Sequence, residues 1–449
     1  MLPETKRKVK SVGSADIVVG IPSYNNDRTI AQVVETVSHG LTEFFPDSKA
    51  VIVNSDGSPN VKTKNAFMNC HVHQKRFSTG YDGVSGKGSA LKTVFEVALA
   101  LNAKAACVLD ADLKYVQPWW IKRLLSPVID KDYHFVAPLY KRDKYDGSIT
   151  NHLTFPLTSC LYGVKLRQPI GGEFGFSSEM AAEFVESVNW KTKVGRFGID
   201  IFMTTTALSE GYKVCQSALG PKIHDPSIRD PHDPIKSIGG MFKQVTGTMF
   251  SLMDFYEDNW TAKFSMRNAR TLYQLPKEEP AHVTLYLSSL EKTVKRLFPK
   301  YKPYWKKVMS KESYKAASEW LIQRSFAAED WARIVFDFAV AYNKSKNTAV
   351  LDAMMPLYFA RVSTFIHQVE YETEENAEKA IVFQADEFLR EKEYLIKRWY
   401  SSKAIGVLTT LAKPLTPLIP SKRELEISKK LIKKLGINKK IFSKVFKEK

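Results

Sequence analysis

Residues 15–24, ADIVVGIPSY, form a short β-branched run that meets Pro22, and residues 27–41, DRTIAQVVETVSHGL, follow with apolar positions at Ile30, Val33, Val34, Val37 and Leu41. The first pattern predicts a buried strand, the second an amphipathic helix with Asp27 as its cap. The alternation repeats. KAVIVNSDGS (49–58) is a strand ending in turn chemistry, GKGSALKTVFEVALALN (86–102) a helix opened by glycines, and AACVLDADL (105–113) a third strand. Helix-like QPWWIKRLLSPVI and strand-like HFVAPLY come next. Strands alternating with helices predict an α/β, Rossmann-like, mostly parallel sheet covered on both faces. Ligands then sit beyond the carboxyl ends of the strands, where Asn54-Ser55-Asp56 and Asp110-Ala111-Asp112 both fall.

The pattern changes near Pro231, in the loop RDPHDP. Beyond it, long segments such as 313–344 and 375–402 carry helical spacing, many charges and many aromatics, without strand alternation. An all-helical region is expected there, with Trp305, Trp320 and Trp331 in its core. The expected divisions are a flexible basic stretch (1–14), the α/β domain (15–232), the helical domain (233–420) and a basic amphipathic tail (421–449).

The chain has 449 residues and a net charge of +18, which suggests an anionic partner. The excess is uneven: residues 421–449 hold eleven Lys/Arg and three Glu, a net of +8. Ile427, Leu431 and Leu435 recur there every fourth residue among lysines, which suits a helix packing in a homo-oligomer or, alternatively, lying on a membrane surface. Cys70, Cys107, Cys160 and Cys215 are widely spaced and form no C-x-x-C pair, so neither a disulfide framework nor a zinc site is expected, and a reducing cytoplasm is. The charged N-terminus lacks the apolar core of a signal peptide. No uninterrupted run of about 18 apolar residues predicts a membrane-spanning helix.

Asp110 and Asp112 are two apart in a strand, so both can face one site at its mouth. Paired carboxylates suit Mg²⁺ or Mn²⁺, hard cations that bridge to phosphates. An isolated D-x-D more often caps the following turn. Lys87 stands between Gly86 and Gly88 at a helix start, a position that favours anions, although the P-loop pattern is absent. His224, in GPKIHDP, could complete a metal site with Asp112.

Eight segments in order strengthen this picture: VVGIPSYNN, NSDGS, GKGSALKTVF, LDADL, DGSIT, QPIGGEFGFS, RFGIDIFMTT and KIHDP. Over about residues 15–230 the chain resembles GT-A nucleotide-sugar glycosyltransferases, and more narrowly the retaining enzymes that make glucosyl-3-phosphoglycerate and mannosylglycerate. The resemblance implies that Pro22, Ser23, Tyr24 and Asn25 line a nucleotide pocket with Ser55 or Asp56. It implies that Lys87 contacts the nucleotide or its phosphates, that Asp110 and Ala111 lie near the ribose, and that Asp112 and His224 bind Mg²⁺ or Mn²⁺. Ile170 and Gly171 would supply backbone near the reacting centre, and Asp200 would hold sugar hydroxyls. Glu173 and Asp200 are the carboxylates to test for a catalytic role; the resemblance implies same-face attack assisted by the leaving phosphate rather than a fixed nucleophile. Arg142, Gly147, Ser148, Ile149 and Thr150 match an acceptor loop.

Two positions depart from the family pattern. Asn26 follows Asn25 where relatives commonly carry an acid. Ser148 stands where phosphoglycerate-using relatives carry an arginine, and losing a guanidinium weakens phosphate recognition. The expected activity is therefore transfer of a hexose from UDP-glucose or GDP-mannose to glycerate, 3-phosphoglycerate or a similar small hydroxy acid, giving a compatible solute. A peripheral membrane glycosyltransferase acting on a lipid or polysaccharide is the alternative. Nucleic-acid binding is not expected, because the basic residues concentrate in a tail and no binding motif is present.

Overall fold

The computed structural model describes residues 1–186, 190, 193–223, 232–262, 264–283 and 287–411. His224 and the basic tail at 421–449 lie outside them.

Ten strands are described: β1 (Ile17–Ser23), β2 (Ala50–Asp56), β3 (Lys75–Thr79), β4 (Ala105–Val108), β5 (Phe135–Lys141), β6 (Val164–Lys165), β7 (Phe174–Ser177), β8 (Val214–Pro221), β9 (Arg267–Asn268) and β10 (Arg270–Leu272). Eight form one sheet in the order β10-β8-β5-β7-β4-β1-β2-β3, while β6 pairs with β9. All neighbours in the large sheet are parallel except β7, which runs antiparallel between β4 and β5. The α/β class holds, with one strand reversed.

Side-chain alternation explains the two covered faces. In β1, Val18 joins one hydrophobic cluster while Ile17, Val19 and Ile21 join the other. In β2, Val51 and Val53 face the first cluster, Ala50 and Ile52 the second. Period-2 geometry sends successive residues to opposite faces, and near-continuous apolar strands are what a sheet buried on both sides requires. The helix Ile30–Phe44 packs Val33, Val34, Val37 and Leu41 on the second face; the helix Lys87–Ala100 packs Leu91, Val94 and Phe95 on the first.

Three expectations are corrected. Asp27 does not cap the first long helix: Thr29 occupies the cap position without a side-chain cap bond, because its hydroxyl donates to the Ala111 carbonyl at 2.7 Å. The N-terminal stretch carries a helix, Pro3–Val12, whose Val9 and Val12 are buried and whose Thr5 hydroxyl meets that of Thr79 at 2.6 Å. The region after 232 is not all helical, since β9 and β10 lie in it, and β10 extends the main sheet beside β8. Strands of two and three residues are too short to leave a period in the sequence.

Otherwise the C-terminal half is helical, from Pro234–Phe255 to Lys392–Leu411. Trp305, Trp320 and Trp331 are buried, as expected, and the Trp305 indole N–H donates to the Ala353 carbonyl at 2.7 Å. The helix Ala349–Val369 is long and apolar enough to cross a membrane, but 89% of its most apolar window is buried inside the protein, the environment of a core helix. The helical region shares a continuous hydrophobic cluster with one face of the sheet. Polar ties reinforce the junction: the Trp331 indole donates to the His152 carbonyl at 2.6 Å, and Lys392 Nζ to the Cys160 carbonyl at 2.6 Å. All four cysteines are buried and unpaired.

Candidate active site

The carboxyl ends of β1, β2, β4, β5 and β8 point to one edge of the sheet. Because β7 is reversed, the residues that precede it, Gly171, Gly172 and Glu173, arrive at the same edge. Chain reversal thus brings a carboxylate from the start of one strand to the ends of its neighbours.

Five charged groups converge there. Lys87 Nζ lies 2.7 Å from Asp110 Oδ1 and 3.3 Å from Asp200 Oδ1. Lys222 Nζ lies 3.2 Å from Asp110 Oδ2 and 2.7 Å from Glu173 Oε2, and it donates to the Gly171 carbonyl at 2.6 Å. Asp110 is therefore bridged by both lysines. Glu173 also accepts from the Tyr140 hydroxyl and, at 3.3 Å, from the Asp110 backbone N–H. Gly172 adopts φ +94°, and a Cβ there would collide with Asp110 Oδ2 and Lys222 Nζ. Only glycine accommodates both the left-handed backbone and the close approach. Gly88 is similarly confined, since a Cβ would strike the Val194 carbonyl oxygen.

The electrostatics follow from burial and pairing. Burial lifts Glu173 to about 7; Lys222 opposes the rise and repulsion from Asp110 adds to it. Burial also raises Asp200, against the pull of Lys87. For Lys87, burial alone would lower the ammonium, but Asp110 and then Asp200 outweigh it and hold the group above the usual lysine range. Burial, then the charge of Glu173, keeps the Tyr140 phenol protonated far above its ordinary range. At this edge an opposite charge close by favours ionisation, and desolvation resists it.

The β1–β2 side is built differently. Asn54 is fully buried; its amide donates to the Ile21 carbonyl at 3.0 Å and to Ser23 Oγ at 2.7 Å, and it accepts from Ser78 Oγ at 2.8 Å. Ser23 and Ser58 both donate to Asp56 Oδ1, at 3.1 and 2.6 Å. Asn25, at φ +57°, donates its N–H to Ser58 Oγ at 2.8 Å, and Tyr24 stands exposed beside it. Ser55 Oγ is buried without a hydrogen-bond partner. Pro22, Ser23, Tyr24, Asn25, Ser55 and Asp56 are thus gathered at one end of the sheet.

On the other flank, Arg142 follows β5 and pairs with Asp146 at 2.6 Å, while its Nε is buried without a partner. The guanidinium and Lys222 Nζ each lie 5.2 Å from the Tyr140 ring centre. Gly147 turns at φ +70°, and Ile149 and Thr150 are buried behind it. Ser148 Oγ accepts from the Tyr358 hydroxyl at 2.7 Å, so a residue of the helical region holds this loop. Ala111 is buried; Asp110, Asp112 and Ile170 are half-buried. The Lys114 N–H donates to the Ile223 carbonyl at 3.0 Å, tying the end of β8 to the turn after Asp112.

Lys222, Tyr140 and Tyr358 were not singled out from the sequence. Lys222 carried a usable signal, since it stands at a strand end two residues before His224. Among the described residues no three His, Cys, Asp or Glu side chains gather to hold a metal. Asp112 supplies one hard carboxylate, which fits a cation completed by phosphate oxygens and by donors outside those residues.

No family model matches the chain. Glucosyl-3-phosphoglycerate synthase of Petrotoga mobilis is 21% identical over 316 residues, covering 67% of this chain and 92% of that protein. Among solved structures, glucosyl-3-phosphoglycerate synthase of Mycobacterium tuberculosis with Mg²⁺ and UDP matches with a TM-score of 0.40 and 20% identity, over 55% of this chain and 82% of that one. The same enzyme with Mn²⁺, UDP-glucose and phosphoglyceric acid also gives 0.40 and 20%, with the same coverage. The chain is thus similar in sequence to a glucosyl-3-phosphoglycerate synthase, and its own topology is a mixed-sheet, Rossmann-like α/β domain followed by a largely helical region.

Proposed function

We propose that this chain is a metal-dependent retaining glycosyltransferase that moves a hexose from a nucleotide sugar to a small hydroxy acid. The carrying observation is the cluster of Lys87, Asp110, Glu173, Asp200 and Lys222 at the carboxyl edge of a mixed, Rossmann-like sheet. The synthase chemistry named for the Petrotoga relative, and the UDP-glucose and phosphoglyceric acid bound in the mycobacterial complexes, are carried to this chain as part of the proposal.

The polar residues of the β1–β2 end receive the nucleoside: Ser55 Oγ offers an unused hydrogen-bonding group, and Tyr24 an exposed ring. Lys87, at the first turn of its helix, faces the diphosphate, where fixed positive charge stabilises the leaving group without a proton transfer. Asp112, with His224, would hold Mg²⁺ or Mn²⁺, which when bound supplies further positive charge at the diphosphate. Asp200 Oδ1, buried and short of an aligned hydrogen bond, accepts from sugar hydroxyls. Glu173 receives Lys222, Tyr140 and the Asp110 N–H, so it orients the cluster rather than attacking the sugar. Arg142 Nε and the 147–150 turn receive the acid group of the acceptor. Ser148 in place of a second guanidinium favours glycerate over its phosphate.

The test is transfer by the purified full chain from UDP-glucose or GDP-mannose to glycerate or 3-phosphoglycerate, with Mg²⁺ or Mn²⁺. Transfer with at least one pair is expected, and Asp112→Ala should abolish it while leaving the circular dichroism spectrum intact. Undiminished transfer in EDTA removes the metal from the reading. No transfer from either donor to either acid removes the substrate class.

A further inference from the structure

A cavity of about 680 Å³ lies within the helical region, and none of its lining residues belongs to the strand-end cluster. Arg361, from the core helix Ala349–Val369, lines it and is only 3% exposed. Its Nε donates to Gln384 Oε1 at 2.6 Å and a terminal nitrogen to the Phe326 carbonyl at 3.3 Å; both acceptors are neutral. Among the described residues no carboxylate forms an ion pair with it. Burial pulls its pKa down to about 10, which still leaves the guanidinium charged at neutral pH. A buried charge without a counter-ion is costly, and a guanidinium has five donors, of which two are engaged.

A second arginine shares the cavity. Arg324 sits at φ +56° just past the end of the helix Lys311–Gln323, stacked over Trp320 with its guanidinium 5.0 Å from the ring centre. Glu291 is the lining carboxylate. It is engaged by His367 Nε2 at 2.9 Å and by the Ser363 hydroxyl at 3.2 Å, and lies 4.0 Å from Arg324 Nε. Thr364 and Ser325 add hydroxyl groups to the wall. Two arginines against one occupied carboxylate leave the cavity net positive.

We propose that this cavity binds a small dianion, a phosphate or dicarboxylate group, held by Arg361 and Arg324. Planar forks of N–H donors match such groups, and the bound anion supplies the charge that Arg361 lacks. The site is connected to the loop after β5. Gln384, which accepts from Arg361, donates to the Asn151 carbonyl at 2.9 Å; the Asn151 amide donates to the Asp146 carbonyl at 2.9 Å; and Asp146 pairs with Arg142. The dianion site itself stands independently of the glycosyltransferase reading.

Titration calorimetry of the full chain with inorganic phosphate and, separately, malonate tests the proposal, with hydrogen exchange to locate the bound anion. Both experiments are run in an Arg142→Ala background, which removes that cation from the strand-end site. Binding of at least one anion is expected, with added protection in 323–328 and 361–368. The arm that binds distinguishes a phosphate from a dicarboxylate site. Arg361→Gln and Arg324→Asn should each weaken binding by roughly tenfold or more, as loss of a charge-assisted contact implies. Asn suits the left-handed backbone at 324, so that variant keeps the test valid should the Arg361 variant fail to fold. The proposal is overturned if neither anion binds, if binding survives Arg324→Asn undiminished, or if protection falls only at the strand-end residues.

Discussion

The two halves of the sheet's carboxyl edge are held by different forces. On the β1–β2 side, Ser23, Asn54, Asp56, Ser58 and Ser78 form a hydrogen-bonded web that is mostly neutral. On the β4–β8 side, two lysines and three carboxylates neutralise one another across more than a hundred residues of sequence. The neutral web is local to strand ends, and its members satisfy one another through hydrogen bonds. The charged half is poised: a ligand bearing phosphates or hydroxyls can exchange partners with groups that already satisfy each other, so it is the half suited to chemistry.

Removing Lys222 should strain the charged half most. Lys222→Met leaves Glu173 fully buried without its cation and Asp110 with one lysine fewer. Breaking a buried pair in this way is destabilising by about 3–5 kcal/mol. Chemical denaturation above pH 7 should show that loss, and a change below 1 kcal/mol would mean the pair is not structural. The loss should shrink in acid, where Glu173 can take up a proton instead.

The same group predicts a pH signature. The folded pKa of Glu173, about 7, is above the ordinary carboxylate value of 4.5, so the native state binds the proton more tightly than the unfolded chain. Its contribution to stability is complete below about pH 4.5 and is lost as pH rises through about 7. Glu173→Gln should flatten that part of the stability curve. A decline of unchanged slope in the variant would assign it to another group.

The two halves were also unequally legible in the sequence. Short motifs next to strands placed Ser55, Asp56, Asp110 and Asp112 at strand ends, because turn residues and apolar runs are neighbours in the chain; Ser23 came from the family resemblance. Lys222 escaped notice because its partners, Asp110 and Glu173, are 112 and 49 residues away and nothing local marks the pairing. Glu173 was noticed, but its arrival at the right edge depends on the reversal of β7, and a four-residue strand carries no sign of direction. Thr29 is a third case. Capping chemistry selected Asp27, whereas the tertiary contact from Thr29 to Ala111 determined how the helix begins. Local pattern thus accounts for the sheet and its ends, and long-range pairing for the charge cluster.

The neutral half should respond less to a single change. Asn54→Leu keeps the volume but strips partners from the Ile21 carbonyl and the Ser78 hydroxyl. Leaving buried polar groups unsatisfied is destabilising by about 1–3 kcal/mol. Urea denaturation measures it. A loss matching that of Lys222→Met would erase the distinction between the two halves.

The mildest change lies where the helical region touches the charged half. Tyr358 is fully buried, and its ring stacks on Phe242 with centroids 4.7 Å apart. Its hydroxyl is the link to Ser148. Tyr358→Phe retains the ring and its packing and removes the hydrogen bond to Ser148, a loss of about 0.5–1.5 kcal/mol. Because Ser148 stands in the turn proposed to receive the acceptor, the effect should fall on the KM for the hydroxy acid, leaving the KM for the nucleotide sugar unchanged. Ser148→Ala should reproduce it, and the double variant should be no worse than either single one, since both remove the same contact. Additive losses would show that Tyr358 steadies the charged half through its packing rather than through Ser148.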